Sequence, residues 1–175
     1  RGPPRLGVGA ATVIWRVLGW LVDAWLAAGP ARRRLAVAWR TLPGDLVGLA
    51  VVRLCGVRAP ARRVTLADGT EGLLYEDPRL GRYLDNVPLR PYAQTLGRII
   101  VARETIPPGT IRHELEHVRQ WSRFGPLFLT IYGLESLLAM LRGGHRYHNN
   151  RFELAARARE RDVSPELMVR EITGG

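Results

Sequence analysis

Residues 112–121, RHELEHVRQW, gather the side chains best suited to chemistry in this 175-residue chain. On a helix, His113 and His117 stand one turn apart on one face, close enough for both imidazoles to bind a single Zn2+ ion. Glu114, beside the first histidine, then falls near the open coordination position. There zinc brings the pKa of water toward neutrality, and a carboxylate takes up the proton as the water attacks a carbonyl. This is the physical content of an H-E-x-x-H helix. The competing reading is a solvated helix whose Arg112, Glu114, Glu116 and Arg119 form surface ion pairs.

Catalytic zinc usually keeps three protein ligands. The extension that places a third histidine on the same segment is absent, because its glycine and histidine positions hold Gln120 and Arg123. The other histidines, His145 and His148, lie in the downstream stretch RGGHRYHNN, and Glu153 follows at the start of a helical pattern. All four histidines thus fall between residues 113 and 148. Such clustering favours a metal site over a scattered surface distribution.

The segment TIRHELEHVRQWSRFGPLF, followed downstream by YHNNRFELAARA, resembles small bacterial zincin-type metallopeptidases of the gluzincin kind. These pair an H-E-L-x-H-V-x-Q helix with a later Asn-x-Phe-Glu-x-x-Ala segment. The similarity spans residues 96–161 and leaves out the first sixty. It implies zinc-dependent hydrolysis of a peptide or protein substrate, with His113, His117 and Glu153 holding the metal and Glu114 as general base. It also implies a substrate laid in extended form along an edge strand, for which residues 98–103 are the candidates; an interior strand is the alternative. Thermolysin-like enzymes carry an acidic residue four positions after the ligand glutamate, where this chain has Arg157. The group that orients a histidine ligand must then come from elsewhere, with Asn149, Asn150 and Glu116 as candidates. His145, Tyr147 and His148 occupy the loop that would present an oxyanion donor opposite Glu114; each also reads singly as an exposed loop residue. A zincin-like binding or scaffold module without turnover fits the same resemblance.

The elements that must position these residues predict an α+β, zincin-like fold, mostly helical, with a small sheet packed on the H-E-x-x-H helix. Residues 61–175 form that domain and residues 1–60 a basic, apolar helical extension. Helices are expected over 8–28, 31–40 and 44–56, with the proline and glycine of LPG as a breaker between the last two. VRAPARR reads as a linker, and a hairpin should turn at Asp68-Gly69. Residues 77–95, rich in proline and glycine, read as loop, and residues 97–104 as a strand. Thr110 is the expected cap of the motif helix, along which Trp121 and Phe124 are packing residues. After Gly125-Pro126, residues 127–141 predict a core helix with Glu135 as its only charge. Residues 151–162 predict another helix, and SPELMVREI a last one capped by Ser164.

Composition narrows the partners. The chain carries a formal charge of +10, and all 26 basic residues are arginine. Residues 1–63 hold eleven arginines against Asp23 and Asp45, so the excess belongs to the first third. No nucleic-acid module accompanies it, and nucleic acid is not an expected partner. The lone Cys55 excludes an internal disulfide framework, fits a reducing compartment and reads as a quiet buried thiol. Residues 6–28 are apolar but interrupted by Arg16 and Asp23, with Arg32, Arg33 and Arg34 behind. That pattern suits an amphipathic helix packed on the domain or lying on a membrane surface better than a clean span. The expected location is accordingly cytoplasmic or membrane-associated.

Overall fold

The computed structural model describes residues 30–58, 61–162 and 166–171, with side chains between residues 35 and 170. The expected helix over 8–28 lies outside the described residues. By contacts the chain divides into two compact units, Arg1–Trp39 and Arg40–Gly175. What is described of the first is helical and exposes Leu35 and Trp39.

Among the described residues the architecture is α+β, with five helices and a mixed five-stranded sheet. In chain order these are α1 (Pro30–Leu54), β1 (Arg62–Leu66), β2 (Glu71–Glu76), α2 (Pro78–Leu84), β3 (Ala93–Leu96), β4 (Ile99–Ala102), α3 (Pro108–Phe124), α4 (Leu127–Leu141), α5 (Arg151–Arg161) and β5 (Leu167–Glu171). The sheet runs β3-β4-β2-β1-β5. Only β2 and β4 pair in parallel; the other ladders are antiparallel.

The hairpin turns where the sequence predicts. Gly69 takes a φ of +83°, and the Asp68 carboxylate accepts a hydrogen bond from the Thr70 N–H at 3.0 Å. Strand β4 explains its own unbroken apolar run. Ile100 and Ala102 join Val64, Leu74, Leu115 and Val118 on the α3 side, whereas Ile99 and Val101 join Val52, Leu80 and Leu84 on the side of α1 and α2. A strand covered on both faces has no solvated side to alternate with.

Several expectations are corrected. The predicted break at Leu42-Pro43-Gly44 does not occur: Pro43 sits inside one continuous α1. Proline withholds a single N–H from the ladder, and the packing of the next turn outweighs that cost. At Gly44 the helix touches the β3–β4 turn so closely that a Cβ would fall 2.5 Å from the Gly97 nitrogen. Asp45, nearly fully buried, accepts hydrogen bonds from the Arg98 N–H at 2.6 Å and the Arg98 guanidinium at 2.7 and 2.9 Å. Residues 77–95, read as loop, contain α2 and β3; Asp77 caps α2 by accepting from the Arg79 N–H, and a proline follows at the first turn. The motif helix starts at Pro108, so Thr110 lies inside it and does not cap it. The last segment is a strand and not a helix, because β1 offers it an open edge to pair with. Helix α4 is not a core helix: of its fifteen residues only Phe128, Glu135 and Ala139 are buried. Cys55 is half-buried beside the α1–α2 core.

Removing the Asp45 carboxylate strands the hydrogen-bond donors of Arg98 and loosens α1 from the β3–β4 turn. Asp45→Ala is expected to lower unfolding free energy by about 2–3 kcal/mol in urea denaturation. A loss within experimental error would show that the clamp carries no stability.

Candidate metal and active site

Helix α3 lies across the sheet on its Val64, Leu74 and Ile100 face and buries nine residues, among them His113, Glu114, Glu116, His117 and Gln120. The solvated-helix reading fails here. Glu116 does pair with Arg119 at 2.8 Å, but both motif histidines and Glu114 are turned inward. The sequence folds this way because Ile111, Leu115 and Val118 anchor one stripe of α3 to the sheet, leaving the neighbouring stripe to face α4 and α5. Trp121 and Phe124 pack as expected, against Phe128 and Phe152 respectively.

Helix α5 brings the third group. Asn150, fully buried, caps it by accepting from the Phe152 N–H at 2.8 Å, and donates to the Tyr132 carbonyl at 3.1 Å and the Ser136 hydroxyl at 2.9 Å. The Arg151 guanidinium grips the buried Glu135 carboxylate at 2.6 and 3.0 Å. These contacts fix the first turn of α5 and aim Glu153 at both imidazoles. His113 Nε2 stands 3.6 Å from Glu153 Oε2, and His117 Nε2 stands 3.3 Å from Glu153 Oε1. One ligand atom from each of the three lies within 4.8 Å of the others.

The donor set fits a zinc ion. Bonds of about 2.0–2.1 Å in tetrahedral array put neighbouring donor atoms about 3.4 Å apart, close to both observed separations. Glu153 Oε2 is buried and lacks a hydrogen-bond partner, as expected of an oxygen reserved for a cation. Each imidazole also turns its other nitrogen to a protein acceptor: His117 Nδ1 meets Gln120 Oε1 at 2.8 Å, and His113 Nδ1 meets Glu160 Oε2 at 3.4 Å. That arrangement fixes the tautomer and leaves Nε2 for the metal.

The orienting groups are therefore not those expected. Asn149 caps the loop by accepting from the His145 N–H, Asn150 caps α5, and Glu116 acts only at one remove through Gln120. Gln120 and Glu160 do the orienting. Arg157, at the position that is acidic in thermolysin-like enzymes, donates instead to the carbonyls of Tyr147 and His148 at 3.1 and 3.0 Å and lies over the Tyr147 ring.

His113, His117 and Glu153 line a cleft of about 550 Å3 that also takes in Glu114, Thr95, Tyr132, His145, Tyr147 and His148. The metal-ligand, general-base and oxyanion candidates of the sequence thus all line one cavity, whereas Glu116, Asn149, Asn150, Arg157 and residues 98–103 do not. Glu114 is held by the Thr95 hydroxyl, which donates to its carboxylate at 2.6 Å. His145 accepts the backbone N–H groups of Tyr147 and His148 at Nδ1, both at 3.2 Å, which stiffens the loop. The Tyr132 phenol donates to Glu153 Oε1 at 2.8 Å. Thr95, Tyr132 and Glu160 escaped the sequence reading. Glu160 had a signal, lying seven positions after Glu153 on the same helical face; Thr95 sat in a segment read as loop.

The edge-strand expectation is corrected. Strand β4 is interior, paired on both sides, and β3 is the edge. The Arg103 N–H bonds the Tyr92 carbonyl, which makes alternate residues 92, 94 and 96 the bonded partners of β4. The main-chain groups of Ala93 and Thr95 consequently point outward along the cleft.

Electrostatics couple His117 to Glu153. Burial alone would depress the His117 pKa, but its hydrogen bond to Glu153 and the charges of Glu114 and Glu153 raise it to about 9. Burial would raise that of Glu153, yet His117 and the Tyr132 and Tyr147 phenols hold it at about 2. Both phenols are pushed well above the usual tyrosine range, chiefly by burial and then by Glu153, and so remain donors.

Comparison with protein-family models, curated proteins and solved structures finds no match to this chain.

Two outcomes are expected. In metal-free protein, folding raises His117 above its unfolded pKa of 6.5, so its contribution is complete below about 6.5 and is lost as pH climbs through about 9. Folding lowers Glu153 from 4.5, so its contribution is complete above about 4.5 and is lost as pH falls toward 2. Melting scans with chelator should show this pair contributing most between about pH 4.5 and 6.5, and the gain in Tm from added zinc should grow from pH 6 to 9 as the metal replaces the proton. A zinc-induced gain that shrinks with rising pH would contradict this. Glu160→Ala should weaken zinc affinity about tenfold in chelator competition, whereas Arg157→Ala should leave it unaltered.

Proposed function

We propose that this chain is a zincin-like, zinc-dependent metallopeptidase of the gluzincin type, hydrolysing a peptide bond in an extended substrate. The observation that carries the reading is the convergence of His113, His117 and Glu153, from two helices, in a cleft where Glu114 stands beside them. Those three side chains would hold the metal. When bound, zinc supplies Lewis acidity, polarising a carbonyl and acidifying water.

The chain's own residues supply the rest. Glu114 accepts the proton of the attacking water and returns it to the leaving amine, with its carboxylate kept in one rotamer by Thr95. Tyr147, His145 and His148 stand on the loop that overhangs the cleft and supply the donor for the developing oxyanion, Tyr147 being protonated at every physiological pH. The outward main-chain groups of Ala93 and Thr95 pair with the substrate backbone and set it parallel to the sheet edge.

A second reading, a zinc-loaded binding module without turnover, draws on Arg157, whose grip on the Tyr147 and His148 carbonyls ties down the loop that would otherwise adjust around a substrate. One pair of variants separates the two. Glu114→Gln should keep its zinc by elemental analysis and lose about 10²–10⁴-fold in hydrolysis of quenched fluorescent peptides, while Glu153→Ala should lose the zinc. Unchanged zinc content in Glu153→Ala would remove the metal site. Hydrolysis by neither the wild type nor Glu114→Gln, with zinc bound to both, would leave the binding module.

A further inference from the structure

Helix α4 is built inside out for a water-soluble protein. Its buried stripe is Phe128, Glu135 and Ala139, and the remaining face presents Leu127, Leu134, Leu137, Leu138, Met140 and Leu141 to the outside, with Leu127 65% and Leu141 74% exposed. On the helical wheel these residues share one side, and Thr130 is the single exposed polar side chain among them. The one charge on α4, Glu135, is turned inward and paired with Arg151. A continuous apolar strip about 22 Å long, as fifteen residues of helix make it, exceeds what monomers ordinarily leave in water.

We infer that α4 docks this protein on an anionic lipid surface. Two observations select lipid over a protein partner. The strip offers almost nothing for the hydrogen bonds that protein interfaces carry at about one per 100–200 Å2, whereas acyl chains ask for none. Its ends are basic: Arg123 lies ahead of the helix, Arg142 closes it and Arg146 follows, all exposed, and from Gln120 to Phe152 the only acid is the internally paired Glu135. Leucines sinking below the headgroups with arginines level with the phosphates are the layout of an interfacial helix. Residues Leu35–Leu54 of α1 are also long and apolar enough to enter a membrane by length and composition; α4 is too short to cross one.

The docking helix is also a wall of the cleft, to which it gives Phe128, Leu129 and Tyr132, and which Val87 and Leu89 also line. Docking therefore holds the cleft near the lipid surface, with α4 between the two. On the peptidase reading, what enters is the membrane-proximal stretch of a polypeptide; the docking itself does not depend on that reading.

Flotation of the full chain with vesicles tests it. Wild type should float with phosphatidylcholine–phosphatidylglycerol vesicles and much less with phosphatidylcholine alone, and L134Q/L137Q/L141Q should bind about tenfold more weakly with unchanged circular dichroism and zinc content. A second measurement needs no disruptive change: in a Cys55→Ser background, an environment-sensitive dye on Leu137→Cys should shift to the blue on vesicle addition, and one on Arg82→Cys should not. Equal binding by wild type and triple variant would overturn the inference, placing any lipid affinity in another segment. So would a wild type that ignores vesicles and forms a dimer that the triple variant breaks.

Discussion

A carboxylate buried between two imidazoles governs this molecule. Glu153 is 3% exposed, and ionised carboxylates do not survive such burial without positive charge close by. The elements around it are arranged to force that encounter. Asn150 and Arg151 pin the first turn of α5 to α4, and Gln120 donates from α3 to the Phe152 carbonyl at 3.2 Å. Phe152 stacks on Tyr132 and meets Phe128 edge-on, closing the apolar wall behind the site. With the helices so fixed, Glu153 stays between the two imidazoles and away from water. The hydrogen bond and charge that His117 and Glu153 share move their two pKa values apart, one up and one down.

The sheet supplies the opposite half of the cleft, and its position depends on contacts far from the histidines. Gly97, at a φ of +67°, turns β3 back along β4, and Asp45 holds the following residue by both main chain and guanidinium. Thr41 adds a hydroxyl to the same carboxylate at 3.1 Å. This clamp sets how far β3 reaches, and so where Thr95 meets Glu114. A glutamate one residue from a metal ligand has many rotamers open to it; the 2.6 Å bond from Thr95 selects one that faces the cavity.

The site was legible in the sequence to the extent that helical periodicity and the family resemblance could carry it. Spacing within α3 placed His113, Glu114 and His117, the family resemblance pointed to Glu153, and helical arithmetic along α5 would have added Glu160 seven positions on. Contacts between distant segments carried no such signal. Thr95 meets Glu114 only because β3 and α3 pack on each other, and Gly44 meets Gly97 across 53 residues. Local rules failed where tertiary pairing outvoted them: Pro43 stays in a helix held by Asp45, and residues 167–171, helical by their capping pattern, become a strand because β1 has an edge to fill. The α2 cap was readable, since Asp77-Pro78 is a proper helix start; the prolines that follow it masked the signal.

The polarity of the fold is partly inverted, and the inversion ties site to surroundings. Inside lie His113, Glu114, Glu116, His117, Gln120, Glu135, Asn150 and Glu153; outside lie most of the leucines of α4. Burying so many polar groups leaves less room for apolar ones, and a helix that must offer Glu135 to Arg151 and Tyr132 to Glu153 on its inner stripe has only its outer face left for leucine. In water that outer face is a liability that no described part of the chain relieves. Against acyl chains it costs nothing, and the polar interior then stands on the far side of one helix from the lipid. The same helix thus completes the carboxylate's hydrogen bonding on one face and carries the proposed lipid contact on the other.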